Sequence, residues 1–336
     1  MSFKLMCWDH ARYVTNTSSP YEEMVREMAR KKAIGIETII IYMHEVISLD
    51  DYCRAAAEND ITVQCWITPE SWIDNPIKRV LPEEKWEEME TRYGIQLKKP
   101  CLNHPDNRKS MINNAKKLMD EFGNRIEAIH LDGIRSENAI LSFQFPCECE
   151  ACRALRKRFL GYEVLNKKDL QNPAILYKEL DIKNSNVSEI VRVLHKKTHK
   201  SHLALTMAAR VNYLNQPDIE DSPVWGLGPA ILEGQDWVKW HDNGWVDAIY
   251  PMNYHLNETY FTDILDSHIR LLQGAVSNLY CGIGVESSMG KNTPEQIVKY
   301  IKKIKDRGLP GCVFFNKSDV FEPEYEPVIK QAAEEQ

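Results

Sequence analysis

The stretch Ile126-Glu-Ala-Ile-His-Leu-Asp132-Gly-Ile-Arg135 decides the reading of the fold. Its alternation is that of a β-strand, in which successive side chains point to opposite faces. Ile129 and Leu131 then face a layer of helices, while Ala128, His130 and Asp132 face an interior, with Asp132 at its mouth. Strand-like segments of this kind recur along the whole chain, at 3–8, 37–43, 62–67, 127–132, 202–208, 247–252, 278–285 and 312–315. Between them, apolar residues at three- and four-residue spacing predict helices at 21–32, 49–58, 108–121, 187–197, 263–272, 294–307 and 324–333. Thr293-Pro294-Glu295 caps one helix start, and Gly308 with Pro310 closes the same helix.

Strands alternating with helices from end to end are the signature of parallel βα units. Eight strands and roughly eight helices suit an α/β protein built as a closed (β/α)8 TIM barrel, with residues 1–336 forming one domain. An open doubly wound sheet would offer a glycine-rich turn after its first strand, and Asp9-His10-Ala11-Arg12 is not one. Two connections are long, 68–103 after strand three and the insertion at 133–200 after strand four, and loops on that side of a barrel carry function. Alternation extends to the other strands. Leu279, Cys281, Ile283 and Val285 are predicted to pack outward, with Gly282, Gly284 and Glu286 on the inner face. Thr206, Ala208 and Arg210 share one parity in strand five, as do Tyr250, Met252 and Tyr254 in strand six.

A net charge of -7 and a pI near 5.9 argue against nucleic acid or an anionic membrane as partner, since both require a basic face. No apolar run reaches the roughly 18 residues of a spanning helix. The segment before Asp9-His10 is too short for a secretory signal, so the expected location is cytoplasmic. Nine cysteines in such a chain suggest thiols or metal ligands rather than disulfides. A homo-oligomer is compatible with the sequence, and no organic cofactor motif is present.

Two blocks carry a family resemblance. Cys101-Leu-Asn-His-Pro-Asp-Asn-Arg108, its helix, and the strand ending Leu131-Asp132-Gly-Ile-Arg135 resemble the pattern of family 10-like glycosyl hydrolases. Gln235-Asp-Trp237-Val-Lys-Trp240 followed by Asp247-Ala-Ile-Tyr-Pro251-Met-Asn-Tyr254 is similar to the Trp-rich helix and following strand of the same group. The likeness covers most of the chain from about Asn103 onward. One departure is Gly133, where many relatives place a second acidic residue or a tyrosine.

The resemblance implies a TIM-barrel glycosidase acting on a small carbohydrate. Glycoside cleavage uses two carboxyl groups, one donating a proton to the leaving oxygen and the other attacking the anomeric carbon or activating water. In the superfamily of retaining barrel glycosidases these close strands four and seven, which implies Asp132 and Glu286 as the catalytic pair. Asp9, His10, His44 and Glu45 end strands one and two; Arg210, Asn253, Tyr254 and Asn316 end strands five, six and eight. With His130 and Arg135 beside Asp132, these are the candidate sugar-binding residues. Trp8, Trp66 and Trp72 are the best-placed stacking platforms, whereas Trp237, Trp240 and Trp245 read as packing. Asp247 opens strand six rather than closing it and reads as a structural cap.

Cys147-x-Cys149-x-x-Cys152, with Cys101 upstream, can surround a tetrahedral Zn²⁺. The arrangement is similar to the cysteine cluster of glycoside hydrolase family 42 β-galactosidases, and four sulfurs would make the zinc structural. Cys7, Cys65, Cys281 and Cys312 lie within strands and read as inert core. Two other functions are compatible with this pattern: a non-catalytic carbohydrate-binding barrel, and a zinc-dependent amide or ester hydrolase using His10, His44 and His130. The second is disfavoured, because a His-x-His on strand one and a His-Glu-x-x-His helix are both missing.

Overall fold

The computed structural model describes residues 3–44, 48–136, 144–212 and 230–334. Strands rich in isoleucine, valine and small residues form where the sequence alternates: β1 (Lys4–Asp9), β2 (Ile36–Tyr42), β3 (Thr62–Ile67), β4 (Ala128–Leu131), β5 (Ala204–Ala209) and β6 (Ala248–Pro251). They are followed by β7 (Cys281–Ser287), a two-residue β8 (Gly290–Lys291) that folds back on β7, and β9 (Gly311–Asn316). The sheet order is β6-β5-β4-β3-β2-β1-β9-β7-β8, parallel throughout except for the β7–β8 hairpin. Ile249 of β6 closes the ring, its N–H donating to Asn278 O at 2.9 Å and its carbonyl accepting from Tyr280 N at 3.0 Å. The eight parallel strands are a curled α/β barrel sheet, and β9 is the eighth barrel strand.

Eleven described α-helices follow in chain order: α1 (Pro20–Ala33), α2 (Leu49–Glu58), α3 (Pro69–Trp72), α4 (Glu83–Tyr93), α5 (Pro105–Phe122), α6 (Glu150–Leu160) and α7 (Pro173–Lys200), then α8 (Trp237–Asp242), α9 (Glu258–Leu271), α10 (Pro294–Asp306) and α11 (Tyr325–Glu334). Thr293 and Gln296 form a full capping box at the start of α10. The helix predicted over 187–197 is the C-terminal part of the 28-residue α7. Its first half is mostly unburied, with Tyr177 71% exposed, so it lacks the apolar stripe that reveals a helix in sequence. None of the described helices is long and apolar enough to cross a membrane.

The outward alternation holds. Ile129, Leu131, Cys281, Ile283 and Val285 join the core between sheet and helices, as do Trp237 and Trp240. Burial pushes the Cys7 thiol up to about 12 and those of Cys65 and Cys312 well above the usual range, in keeping with inert packing. A second cluster fills the barrel, with Met6, Trp8, Ile40, Tyr250 and Val313 among its members.

Beneath the mouth runs a chain of polar groups. Trp8 Nε1 donates to His130 Nε2 at 3.2 Å, and Nδ1 of the same ring lies 2.9 Å from Thr206 Oγ1. Thr206 donates to Gln64 Oε1 at 2.8 Å, and Gln64 Nε2 donates to the Tyr250 hydroxyl at 3.0 Å. An indole N–H can only donate, so His130 must be neutral with its proton on Nδ1. Burial agrees, lowering its pKa to about 3.

Candidate active site

A cavity of roughly 340 Å³ opens at the C-terminal ends of the strands. Its floor and walls are aromatic: Trp8 from β1, Trp66 from β3, Phe315 from β9, and Tyr254 just beyond β6. Trp8 sits edge-on to Tyr254 at 6.1 Å and to Phe315 at 6.3 Å, and the last two stack at 5.2 Å. Ala208 and Met252 complete the apolar lining. The polar groups facing the space are Asp132, His10, Ser288 and Lys317. Among the described lining residues, Asp132 is the sole carboxylate.

Asp132 follows β4 directly and is held by its own turn. Its Oδ1 accepts from Gly133 N at 2.6 Å, while its backbone N–H donates to Ile67 O at 3.0 Å. Gly133 has φ +59, a left-handed conformation that strains any residue with a side chain. This turn therefore demands the glycine that departs from the family pattern. Arg135 Nη1 lies 3.6 Å from Asp132 Oδ1, and its Nε lies 3.3 Å from Glu233 Oε2. Arg210 donates to the same fully buried Glu233, at 2.8 Å from Nε and 3.3 Å from Nη2. Two arginines thus share one buried carboxylate beside Asp132. Burial, and then the Arg135 charge, lower the pKa of Arg210 below the usual guanidinium value. Burial, reinforced by the Asp132 charge, holds the Tyr254 phenol well above its ordinary value.

The His10 ring is set from the far end of the chain. Its Nδ1 lies 2.9 Å from Asp319 Oδ1, and its backbone N–H donates to the same oxygen at 3.0 Å. Arg12 N donates to Asp319 Oδ2 at 3.2 Å. The sequence reading missed Asp319. The available signal was an acid in the loop just after the last barrel strand, on the side where loops carry function.

Several predicted site residues lie elsewhere. Glu286 is the main correction. The β7–β9 register pairs Gly284 with Phe315 and then, after a bulge, Glu286 with Asn316. Residues paired across a ladder share a face, so Glu286 points with Asn316 rather than with the cavity-lining Phe315. The extra residue inverts the parity on which its inward assignment rested. Asn316 itself is buried and donates to Val320 O at 2.7 Å, shaping a loop.

Asp9 also points outward, accepting from Lys31 Nζ at 2.7 Å, Tyr52 OH at 2.7 Å and Tyr13 OH at 3.1 Å. Asn253 is fully buried and donates to Phe261 O at 2.9 Å. His130 is sealed beneath Trp8, and Arg210 is engaged by Glu233. His44 is exposed beside Tyr42, with ring centroids 6.0 Å apart, and Glu45 lies outside the described residues. Trp72 packs on the core and does not line the cavity. Trp8, His10, Trp66, Asp132 and Tyr254 are the predicted site residues that meet there, with Arg135 behind Asp132. With His130 sealed and His44 exposed, the three histidines of the amide or ester hydrolase reading do not converge.

The cysteine cluster assembles away from the cavity. Cys101, Cys147, Cys149 and Cys152 are all buried, with ligand atoms within 4.8 Å of one another. Cys101 Sγ is 3.5 Å from Cys152 Sγ and 3.7 Å from Cys149 Sγ. N–H groups of Val80, Cys149 and Asn103 donate to these sulfurs at 3.4–3.5 Å. Thiolates inside a zinc site attract such donors, so the residues present fit a four-sulfur ion. His104 instead caps α5, accepting from Asp106 N.

No protein-family model matches the sequence, and no curated protein is significantly similar to it. Among solved structures, the PgaB (BpsB) glycoside hydrolase domain from Bordetella bronchiseptica superimposes with a TM-score of 0.71 at 8% identity, covering 99% of each chain. The two share a fold. A chitinase from Chromobacterium violaceum gives a TM-score of 0.56 at 10% identity over the full length of both chains. An endo-β-1,4-mannanase from Thermotoga petrophila gives 0.57 at 10% identity, with 99% of this chain and 76% of that one covered. These likenesses establish a barrel of the kind found in glycoside hydrolases. They confirm neither the family 10-like nor the family 42 resemblance.

Proposed function

We propose that the chain is a glycoside hydrolase acting on an oligosaccharide or glycoside. The observation that carries this reading is that Asp132 and the Asp319-anchored His10 open onto one aromatic-walled cavity. Sugars present apolar ring faces and a hydroxyl-rich edge, which suits Trp66, Tyr254 and Phe315 around a few polar groups. That many proteins of the same fold are named as glycosidases adds support.

The Asp132–Glu286 pairing gives way to Asp132 with His10. Asp132 protonates the glycosidic oxygen as the bond to the anomeric carbon breaks. Water adds to that carbon, its proton passing to His10 Nε2, while Asp319 holds Nδ1 and stabilises the imidazolium. Proton exchange with solvent then resets both groups. The products are a reducing sugar and the released alcohol.

Turnover of a panel of aryl glycosides and end-labelled oligosaccharides by Asp132→Asn and His10→Gln tests this. Each variant should lose about 10²–10⁴-fold in kcat with its thermal melt unchanged. Undiminished turnover by Asp132→Asn would refute the assignment. Saccharide binding without cleavage in the wild type would instead favour a non-catalytic carbohydrate-binding barrel.

The four cysteines are proposed to hold a structural zinc ion that ties the segment before α5 to the start of α6. Buried thiols with little apolar core around them gain from such a crosslink.

A further inference from the structure

We infer that the foot of the barrel carries a second metal site, formed by His195, His199 and Asp247, that takes a divalent transition ion. It lies at the opposite end of the strands from the cavity: Asp247 immediately precedes β6, and both histidines belong to the last turns of α7. It is independent of the glycosidase reading.

Three observations carry the inference. The two histidines are four residues apart on a rigid helix, which puts them on one face, and their ring centroids are 4.0 Å apart. Asp247 is fixed in advance, because its Oδ2 accepts from Leu205 N at 2.7 Å while both its oxygens sit within 3.0 Å of His199 Nε2. His195 Nδ1 is buried with no hydrogen-bond partner among the described residues. An ion pair between His199 and Asp247 would account for the second observation alone. It leaves the His195 ring crowded against His199, tilted at 50°, for no gain and an imidazole nitrogen unsatisfied.

The geometry suits an ion. The three ligand atoms lie within 4.8 Å of one another. Bonds of about 2.0–2.2 Å to a tetrahedral ion would need them only slightly closer, within reach of small side-chain rotations. Two imidazoles and one carboxylate select zinc, nickel or copper over calcium or magnesium, which prefer all-oxygen shells. His199 is exposed, so water can complete the shell. The ion would pin the end of α7 to the β5–β6 edge and raise the melting temperature by mass action, with no part in the reaction.

Nickel titration of the full chain, first loaded with one equivalent of zinc to fill the cysteine cluster, tests this by calorimetry and absorption. The wild type should bind one nickel per chain and melt higher, without a sulfur-to-metal charge-transfer band. His195→Ala and His199→Ala should each weaken binding at least about tenfold and abolish the thermal shift. His195→Asn provides a milder change should the alanine variant unfold. The inference is overturned if the wild type binds no nickel, if the variants bind as the wild type does, or if the spectrum reports sulfur ligation.

Discussion

His10 Nδ1 lies 2.9 Å from Asp319 Oδ1, although 309 positions separate the two residues. The first and last barrel strands are neighbours, so closure of the ring brings the loops after both to the same mouth. Asp319 is nearly fully buried and spends both oxygens on this one turn of chain. It acts as a positioning residue for the ring that faces the cavity.

Asp319→Ala should therefore lower kcat by about 10²-fold or more while changing KM little, since Asp319 itself does not line the cavity. If it acts through His10, the double variant with His10→Gln should be scarcely worse than His10→Gln alone. Additive losses in steady-state kinetics would show that the two side chains work separately.

Asp9 offers a contrasting case. It is fully buried with Lys31, whose ammonium is 2.7 Å away, between β1 and the helices α1 and α2. Removing Asp9 strips the buried Lys31 of its nearest counter-ion and leaves it only Glu27 at 3.7 Å, at a cost of about 3–5 kcal/mol. Asp9→Ala should move the urea midpoint down by that equivalent, with KM unaltered in the protein that remains folded. A raised KM at unchanged stability would restore Asp9 to the sugar site.

These two aspartates mark what was legible in the sequence. The eight strands and most helices were, because side-chain period follows directly from backbone geometry. So were Asp132, His10, Trp66 and Tyr254, each at a strand's C-terminal end. What failed depended on parity. Asp9 and His10 are adjacent at a strand end, and only one of two neighbours can face inward. Glu286 had the right parity until a bulge beyond Gly284 inverted it, a local irregularity that composition does not announce. Asp319 and Glu233 were missed for another reason. No side-chain period marks either residue, and its partner is fixed by tertiary closure rather than by local pattern.

The cysteine cluster allows a test by metal removal. Protein first washed with a chelator to empty the exposed His195–His199–Asp247 site should carry one zinc per chain at the four sulfurs, and Cys152→Ser should reduce that content toward zero while lowering the melting temperature. Cys312→Ser, at a buried strand thiol remote from the cluster, should keep its zinc. Elemental analysis of the three proteins decides the matter, and equal zinc in all three would place the ion elsewhere.

Acid stability follows from two histidines buried in neutral form. Burial lowers His130 to about 3. It lowers His268 to about 4, against the hydrogen bond His268 donates to Val211 O. In the unfolded chain both titrate near ~6.5. Between pH 6.5 and 4 the unfolded state therefore binds more protons than the native one, so stability falls as pH falls. The slope approaches about 1.4 kcal/mol per pH unit for each residue. Asp319 extends the trend: burial alone would raise its carboxyl, but the His10 ring and backbone donors outweigh this and hold it below the usual range. The stability it contributes is present above about pH 3.9 and drains away as the pH drops further. Urea unfolding at a series of pH values should show this acid loss beginning near pH 6.5. His268→Gln, which retains a donor for Val211 O, should reduce the slope between pH 6.5 and 4 by about 1.4 kcal/mol per unit. Stability that stays level down to pH 4.5 would mean that neither ring is held neutral in the folded protein.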